Sequence, residues 1–138
     1  MIYLAGPLFT MAEIKFNENL SEALTKRGYE IYLPQRECSL CTENDDIYNV
    51  CIEGIKKSDI ILAVLDGTDA DSGTSFEAGY ALALGKKIIG LRTDFRNTGD
   101  DGGLNLMLSK SCQHLIQYSI LEEDCSFEDL ADKIIPFL

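Results

Sequence analysis

Apolar residues follow two rhythms along this chain, and the two alternate from end to end. Short, mostly apolar runs occur at residues 2–5, 30–33, 59–65, 87–91 and 114–118, several bounded by turn residues such as Gly6-Pro7 and Pro34. These read as strands. Between them, apolar positions recur at helical spacing. Ile14, Phe16, Leu20, Ala23 and Leu24 define a helix over 11–27 that Gly28 ends, and Val50 and Ile55 mark another over 47–57. A third runs over 74–84, with Gly85 placed as its C-cap. Residues 126–137 form a closing helix, 104–109 a helical turn, and 93–103 a polar loop rich in glycine and aspartate. The run 59–65 lacks polar alternation, as expected of a central parallel strand covered on both faces.

Strand and helix in alternation imply a parallel sheet with helices on both faces, and right-handed crossovers leave few topologies. The expected fold is α/β: a flavodoxin-like (Rossmann-like) five-stranded parallel sheet in the order 2-1-3-4-5, spanning 1–138 as one domain. Ligands of such sheets bind beyond the carboxyl ends of the strands, near the switch point. Three loops would meet there: 6–10, 66–73 and 93–103.

Composition narrows the function. With 46% apolar residues in 138, the chain has enough to build a core. A formal net charge of -11 repels phosphate backbones and anionic membranes, so neither nucleic acid nor membrane is an expected partner. The longest wholly apolar run, 60–65, is far below the ~20 residues of a spanning helix. No basic-then-apolar leader opens the chain, and a cytoplasmic protein is expected. Five cysteines, an odd number, fit a reducing compartment better than a disulfide framework. Cys38 and Cys41 form a CxxC, but zinc would need a second pair, and Cys51, Cys112 and Cys125 are single. These read as ordinary reduced thiols.

The segment after the third strand carries the chemistry. It places Asp66, Asp69 and Asp71 at the carboxyl end of a central strand, with Glu77 in the first turn of the following helix. Free N–H groups and the helix dipole would keep Glu77 ionised there, ready to attack an electrophilic carbon. A second reading stands beside it: Thr74-x-x-Glu77 is a capping box, and Asp66 and Asp69 can serve as turn caps or be solvated. Calcium and magnesium sites lack the required acidic spacing. No glycine-rich phosphate loop is present, which removes support for ATP and dinucleotides. His114, the only histidine, reads as a structural residue at a strand start. No metal and no cofactor are expected, and any catalysis falls to carboxylates.

Three segments resemble the nucleoside 2-deoxyribosyltransferase family: Ile2-Tyr3-Leu4-Ala5-Gly6-Pro7-Leu8-Phe9, Asp71-Ser72-Gly73-Thr74-Ser75-Phe76-Glu77-Ala78-Gly79-Tyr80-Ala81, and Leu104-Asn105-Leu106-Met107. They occur in the family's order across nearly the whole chain. The resemblance implies cleavage of the N-glycosidic bond of 2′-deoxynucleosides, with Glu77 as nucleophile and transfer of the sugar to another nucleobase or to water. It implies that Tyr3 orients Glu77 and that Asp71 binds the 5′-hydroxyl side of the sugar or assists the base. Gly6, Phe9, Gln35, Asp66 and Gly73 would line the substrate site. Asn105 and Met107 would complete the site of a neighbouring subunit in a homo-oligomer. Where the family has an aspartate as general acid, this chain has Cys51; Asp45, Asp46 and Asp69 are the candidate substitutes. The expected partners are thus nucleosides and nucleobases. Two other readings stay open: a 2′-deoxynucleoside 5′-monophosphate N-glycosidase, for which Arg92 and Arg96 are within reach of a phosphate but Asp71 would oppose it, and a non-catalytic nucleotide-sensing module.

Overall fold

The structure, a computed structural model, describes residues 1–94, 96, 103–119, 121 and 125–138. Its elements in chain order are β1 (Ile2–Ala5), α1 (Met11–Thr25), β2 (Ile31–Tyr32), α2 (Pro34–Glu37), α3 (Asn44–Lys57), β3 (Ile60–Val64), α4 (Ser72–Ala83), β4 (Lys87–Arg92), α5 (Leu106–Ser111), β5 (His114–Gln117) and α6 (Phe127–Ile134), closed by a 3₁₀ turn (Ile135–Phe137). The five strands are parallel and ordered β2-β1-β3-β4-β5, as the alternation implied. Of the loop expected over 93–103, only Thr93, Asp94, Arg96 and Gly103 lie within the described residues.

Side-chain alternation along the central strands divides the core in two. Ile2 and Leu4 of β1, with Leu62 and Val64 of β3, face Leu20 and Leu24 of α1 and Leu130 and Ile134 of α6. Tyr3 and Ala5, with Ile61, Ala63 and Leu65, face Ile55 of α3 and Ala81 of α4. Both faces of β3 are therefore covered, which explains its unbroken apolar run. Fully burying one Leu or Ile contributes ~1.5–3 kcal/mol, so these two clusters hold the layers together.

Several boundaries differ from the sequence expectation, and four of them have a clear local reason. β2 is an edge strand of two residues, because Leu33 already stands as N-cap of α2 with Pro34 at its first position. Pro34 starts a helix here rather than merely ending a strand. α3 begins at Asn44 rather than 47; its first turn, with Asp45 and Asp46, is polar and invisible to an apolar pattern. α4 begins at Ser72 because Asp71, not Thr74, caps it. The closing helix tightens into the 3₁₀ turn at Pro136.

Tyr32 locks α3 against the edge of the sheet. Its ring stacks on Tyr3 with centroids 5.5 Å apart, and its hydroxyl donates to the Val50 carbonyl at 2.9 Å. Gly54 leaves room for that ring: a Cβ there would lie 2.2 Å from Tyr32 Cε1. The ring is held by its stack and by its hydroxyl, so it cannot simply swing aside. Gly54→Ala is expected to destabilise the fold by about 1–3 kcal/mol, the usual cost of overpacking. Urea denaturation monitored by circular dichroism checks this; an unchanged midpoint would contradict it.

Candidate active site

Tyr3 is fully buried in β1, on the face that looks toward α3 and α4. A buried phenol needs a polar partner, and it finds one in Glu77: Tyr3 Oη donates to Glu77 Oε1 at 2.5 Å across 74 residues of sequence. Glu77 lies in the second turn of α4 and is half-buried. Burial pushes its carboxyl up to about 7; the Tyr3 hydrogen bond opposes the rise and the Asp71 charge adds to it. Burial thus opposes the ionisation of Glu77 that the helix N-terminus was expected to favour. The Tyr3 phenol is raised well above its usual value, by burial first and then by the Glu77 charge, so it stays protonated and donates.

The capping-box reading of Thr74 and Glu77 is also corrected. Asp71 is the N-cap of α4, and its Oδ2 accepts from Thr74 N at 2.8 Å and from Thr74 Oγ1 at 3.1 Å. Thr74 is buried inside the first turn, and the Glu77 carboxylate is left to Tyr3. The box forms elsewhere: Thr10 Oγ1 accepts from Glu13 N, while Glu13 Oε2 accepts from Thr10 N at 2.7 Å and from Phe9 N at 3.0 Å. That pairing fixes the loop after β1 and leaves the Phe9 ring exposed.

Cys51, in α3, adjoins the Tyr3 hydroxyl, and burial raises its thiol pKa. Asp45 and Asp46 are exposed in the first turn of the same helix, and Asp69 is exposed in the loop after β3. Of the four candidate acids, Cys51 is the one that meets the Tyr3–Glu77 pair.

A cleft of about 420 Å³ opens at the carboxyl ends of β1, β3 and β4, on the α1 side, lined by Pro7, Asn17, Val64, Asp66, Thr93 and Arg96 among others. Gly6 approaches Asn17 and Val64 so closely that a Cβ would sit 3.1 Å from Asn17 Oδ1. Asp66 lines this cleft, but its carboxylate accepts from Thr93 N at 2.6 Å, Thr93 Oγ1 at 2.5 Å and Asp94 N at 2.9 Å, tying the loop after β3 to the loop after β4. Gln35 turns to α1, donating to the Ile14 carbonyl at 3.1 Å and accepting from Asn17 at 3.3 Å. Gly73 sits in the first turn of α4 beside the Asp71 carboxylate.

Arg92 is buried, and its guanidinium donates to the carbonyls of Leu65, Gly67 and Arg96 at 2.7–3.1 Å. It binds two loops together and is not available to a phosphate, which corrects that expectation. Arg96 forks onto the Asp94 carboxylate, whose acidity those hydrogen bonds increase. Asn105 caps α5, accepting from Met107 N at 2.9 Å, and both Asn105 and Met107 are exposed. His114 is exposed on β5 with its ring against Phe137. Among the described residues no group of three or more His, Cys, Asp or Glu could hold a metal ion, and no helix is long and apolar enough to cross a membrane. The signals missed in the sequence are the Thr10–Glu13 box, whose T-x-x-E spacing is visible there, and the Arg92 knot, which has no local signature.

The family model for nucleoside 2-deoxyribosyltransferases matches residues 2–124. An uncharacterised protein of Ureaplasma parvum is 34% identical, over 87% of this chain and 90% of its own length. A conserved protein from Enterococcus faecalis superposes with a TM-score of 0.77 at 28% identity, covering 99% of this chain and 98% of that one. The 2-deoxyribosyltransferase of Bacillus psychrosaccharolyticus superposes with a TM-score of 0.71 at 27% identity, covering 95% of this chain and 90% of that one.

Proposed function

The chain belongs to the nucleoside 2-deoxyribosyltransferase family, and on that footing we propose that it cleaves the N-glycosidic bond of 2′-deoxynucleosides and passes the sugar to a second nucleobase or to water. The observation that carries this reading is the Tyr3–Glu77 pair, a half-buried carboxylate held by a buried phenol at 2.5 Å. Tyr3 engages Oε1 and leaves Oε2 to attack C1′. The C1′–N bond breaks as the Glu77 ester forms, and the base departs with the bonding electrons and takes up a proton. A nitrogen of the incoming base then attacks C1′, the ester bond breaks, and Glu77 is regenerated. Two displacements give net retention. Cys51 is the proton donor nearest to this pair. Asp71 spends Oδ2 on its cap, which leaves Oδ1 for the 5′-hydroxyl of the sugar. Asn105 and Met107, exposed on α5, are suited to complete the site of a second copy of the chain.

Free nucleosides are favoured over 5′-monophosphates. Asp71 would face the phosphate, and like charges ~4 Å apart cost ~4 kcal/mol at an effective dielectric of 20. Arg92 is committed to carbonyls and Arg96 to Asp94. The test is chromatography of the protein with 2′-deoxyinosine and cytosine, beside 2′-deoxyinosine alone and a deoxynucleoside monophosphate. A deoxycytidine peak is expected. Free base from the monophosphate alone would move the activity to nucleotide hydrolysis, and binding without any turnover would make the protein a sensor.

A further inference from the structure

Three of the five cysteines come from two neighbouring segments, and one of them, Cys51, reaches Tyr3. Cys38 is the C-cap residue of α2, Cys41 follows three residues later, and Cys51 comes from α3. Cys38 Sγ and Cys51 Sγ lie 4.0 Å apart, and the Cys38 thiol also points at the Ile47 carbonyl at 3.9 Å. Cys51 also interacts with the Tyr3 hydroxyl, which bonds Glu77. The order in space is therefore Cys38, Cys51, Tyr3, Glu77. These thiols do not form a metal cage. What the geometry offers is a pair of sulfurs in direct contact, drawn from two separate segments of the chain.

We propose that Cys38 and Cys51 are an oxidisable pair whose disulfide disables the site by taking the Cys51 thiol from Tyr3. The loss of activity rests on the proposed glycosyl transfer; the bond itself does not. Closing the pair brings the sulfurs from 4.0 Å to about 2.05 Å. Cys51 Sγ then moves toward Cys38, and its thiol proton is gone. The oxidant is a low-molecular-weight disulfide. The thiolate of Cys38, the less buried of the two, attacks one sulfur of the oxidant and expels a small thiolate. The Cys51 thiolate next attacks Cys38 Sγ in the mixed disulfide and expels the second. Two electrons leave the protein pair, and the two small thiolates carry off its two protons. Only thiolates react. Burial, with Cys51 nearby, pushes Cys38 up to about 12, so the pair survives at neutral pH and closes faster as pH rises.

The test incubates the full chain with glutathione disulfide at alkaline pH, quenches with acid, alkylates, and cleaves after glutamate. That cleavage separates 38–43 from 44–53, so a Cys38–Cys51 bond links two peptides while a Cys38–Cys41 bond stays within one. The linked pair is expected. With it, base release falls about 10²-fold, the scale of a group misplaced by an ångström or of a lost proton donor, and dithiothreitol restores it. The titration midpoint of Glu77, followed by carboxyl NMR, shifts with the bond. Cys38→Ser neither links nor loses activity on oxidation, and Cys41→Ser behaves as the parent does. A bond confined to 38–43, no bond, or a bond that leaves both activity and the Glu77 midpoint unmoved overturns the proposal. If the reduced protein turns over no nucleoside, the functional reading falls, and the linked peptide with the Glu77 midpoint still decides this one.

Discussion

Replacing Glu77 by glutamine is expected to lower deoxyribosyl transfer by about 10⁴-fold or more, the scale seen when a covalent nucleophile is removed. The substitution keeps the shape of the side chain and an oxygen to accept from Tyr3, so the fold and the buried hydrogen bond persist. What disappears is the anionic oxygen that would bond C1′. Binding of nucleoside should survive, which separates lost chemistry from a lost site. A 2′-fluoro-2′-deoxynucleoside gives a second readout: its electron-poor sugar destabilises the oxocarbenium-like transition state and slows release of the ester. Mass spectrometry is expected to find the sugar on the peptide bearing Glu77 in the parent and none in the variant. Full transfer by Glu77→Gln, or an adduct on another carboxylate, would end the assignment.

Most of the framework was legible because parallel α/β folds write themselves into apolar periodicity. Alternation and crossover handedness left few strand orders, of which 2-1-3-4-5 is the one the structure has. What periodicity could not convey were the polar terms. The start of α4 turns on which of several short polar residues caps it, and Asp71 prevails because its carboxylate reaches both the N–H and the hydroxyl of Thr74. That three-residue difference moves Glu77 from a first turn, where the dipole would favour its charge, to a half-buried second turn, where desolvation opposes it. Gln35 and Arg92 look like ligand-facing residues in the sequence; their real partners, α1 and three loop carbonyls, are fixed only by tertiary contact. The approach of Cys38 to Cys51 likewise depends on the short helix α2, too brief to leave a periodic trace.

The pH dependence of activity and that of stability should run in opposite directions, because both depend on Glu77. Its carboxyl rises from 4.5 to about 7, chiefly by burial, against the pull of the Tyr3 hydrogen bond and with help from the Asp71 charge. The nucleophile is the ionised form, so kcat/KM of the parent is expected to climb about tenfold per pH unit below 7 and to level above about pH 8. For stability the sign is reversed. A folded-state value above the unfolded one means that the native protein binds this proton more tightly. The resulting stabilisation is fully present below pH 4.5 and is lost as pH rises through about 7. Above that range the native state carries a desolvated charge that the unfolded chain would solvate. Glu77→Gln removes the titration and still accepts from Tyr3. The variant should match the parent near pH 4 and exceed it by about 1–3 kcal/mol at pH 8, at 1.36 kcal/mol per unit reduced for the residual solvent around the side chain. Urea unfolding of both proteins at the two pH values measures this. A difference that does not change with pH would mean that burial is not what raises the carboxyl, and the same charge could not then be the source of the activity profile. A difference that grows with pH would make the inactive variant the more stable protein, because a nucleophile kept partly dry for reaction strains the fold that holds it.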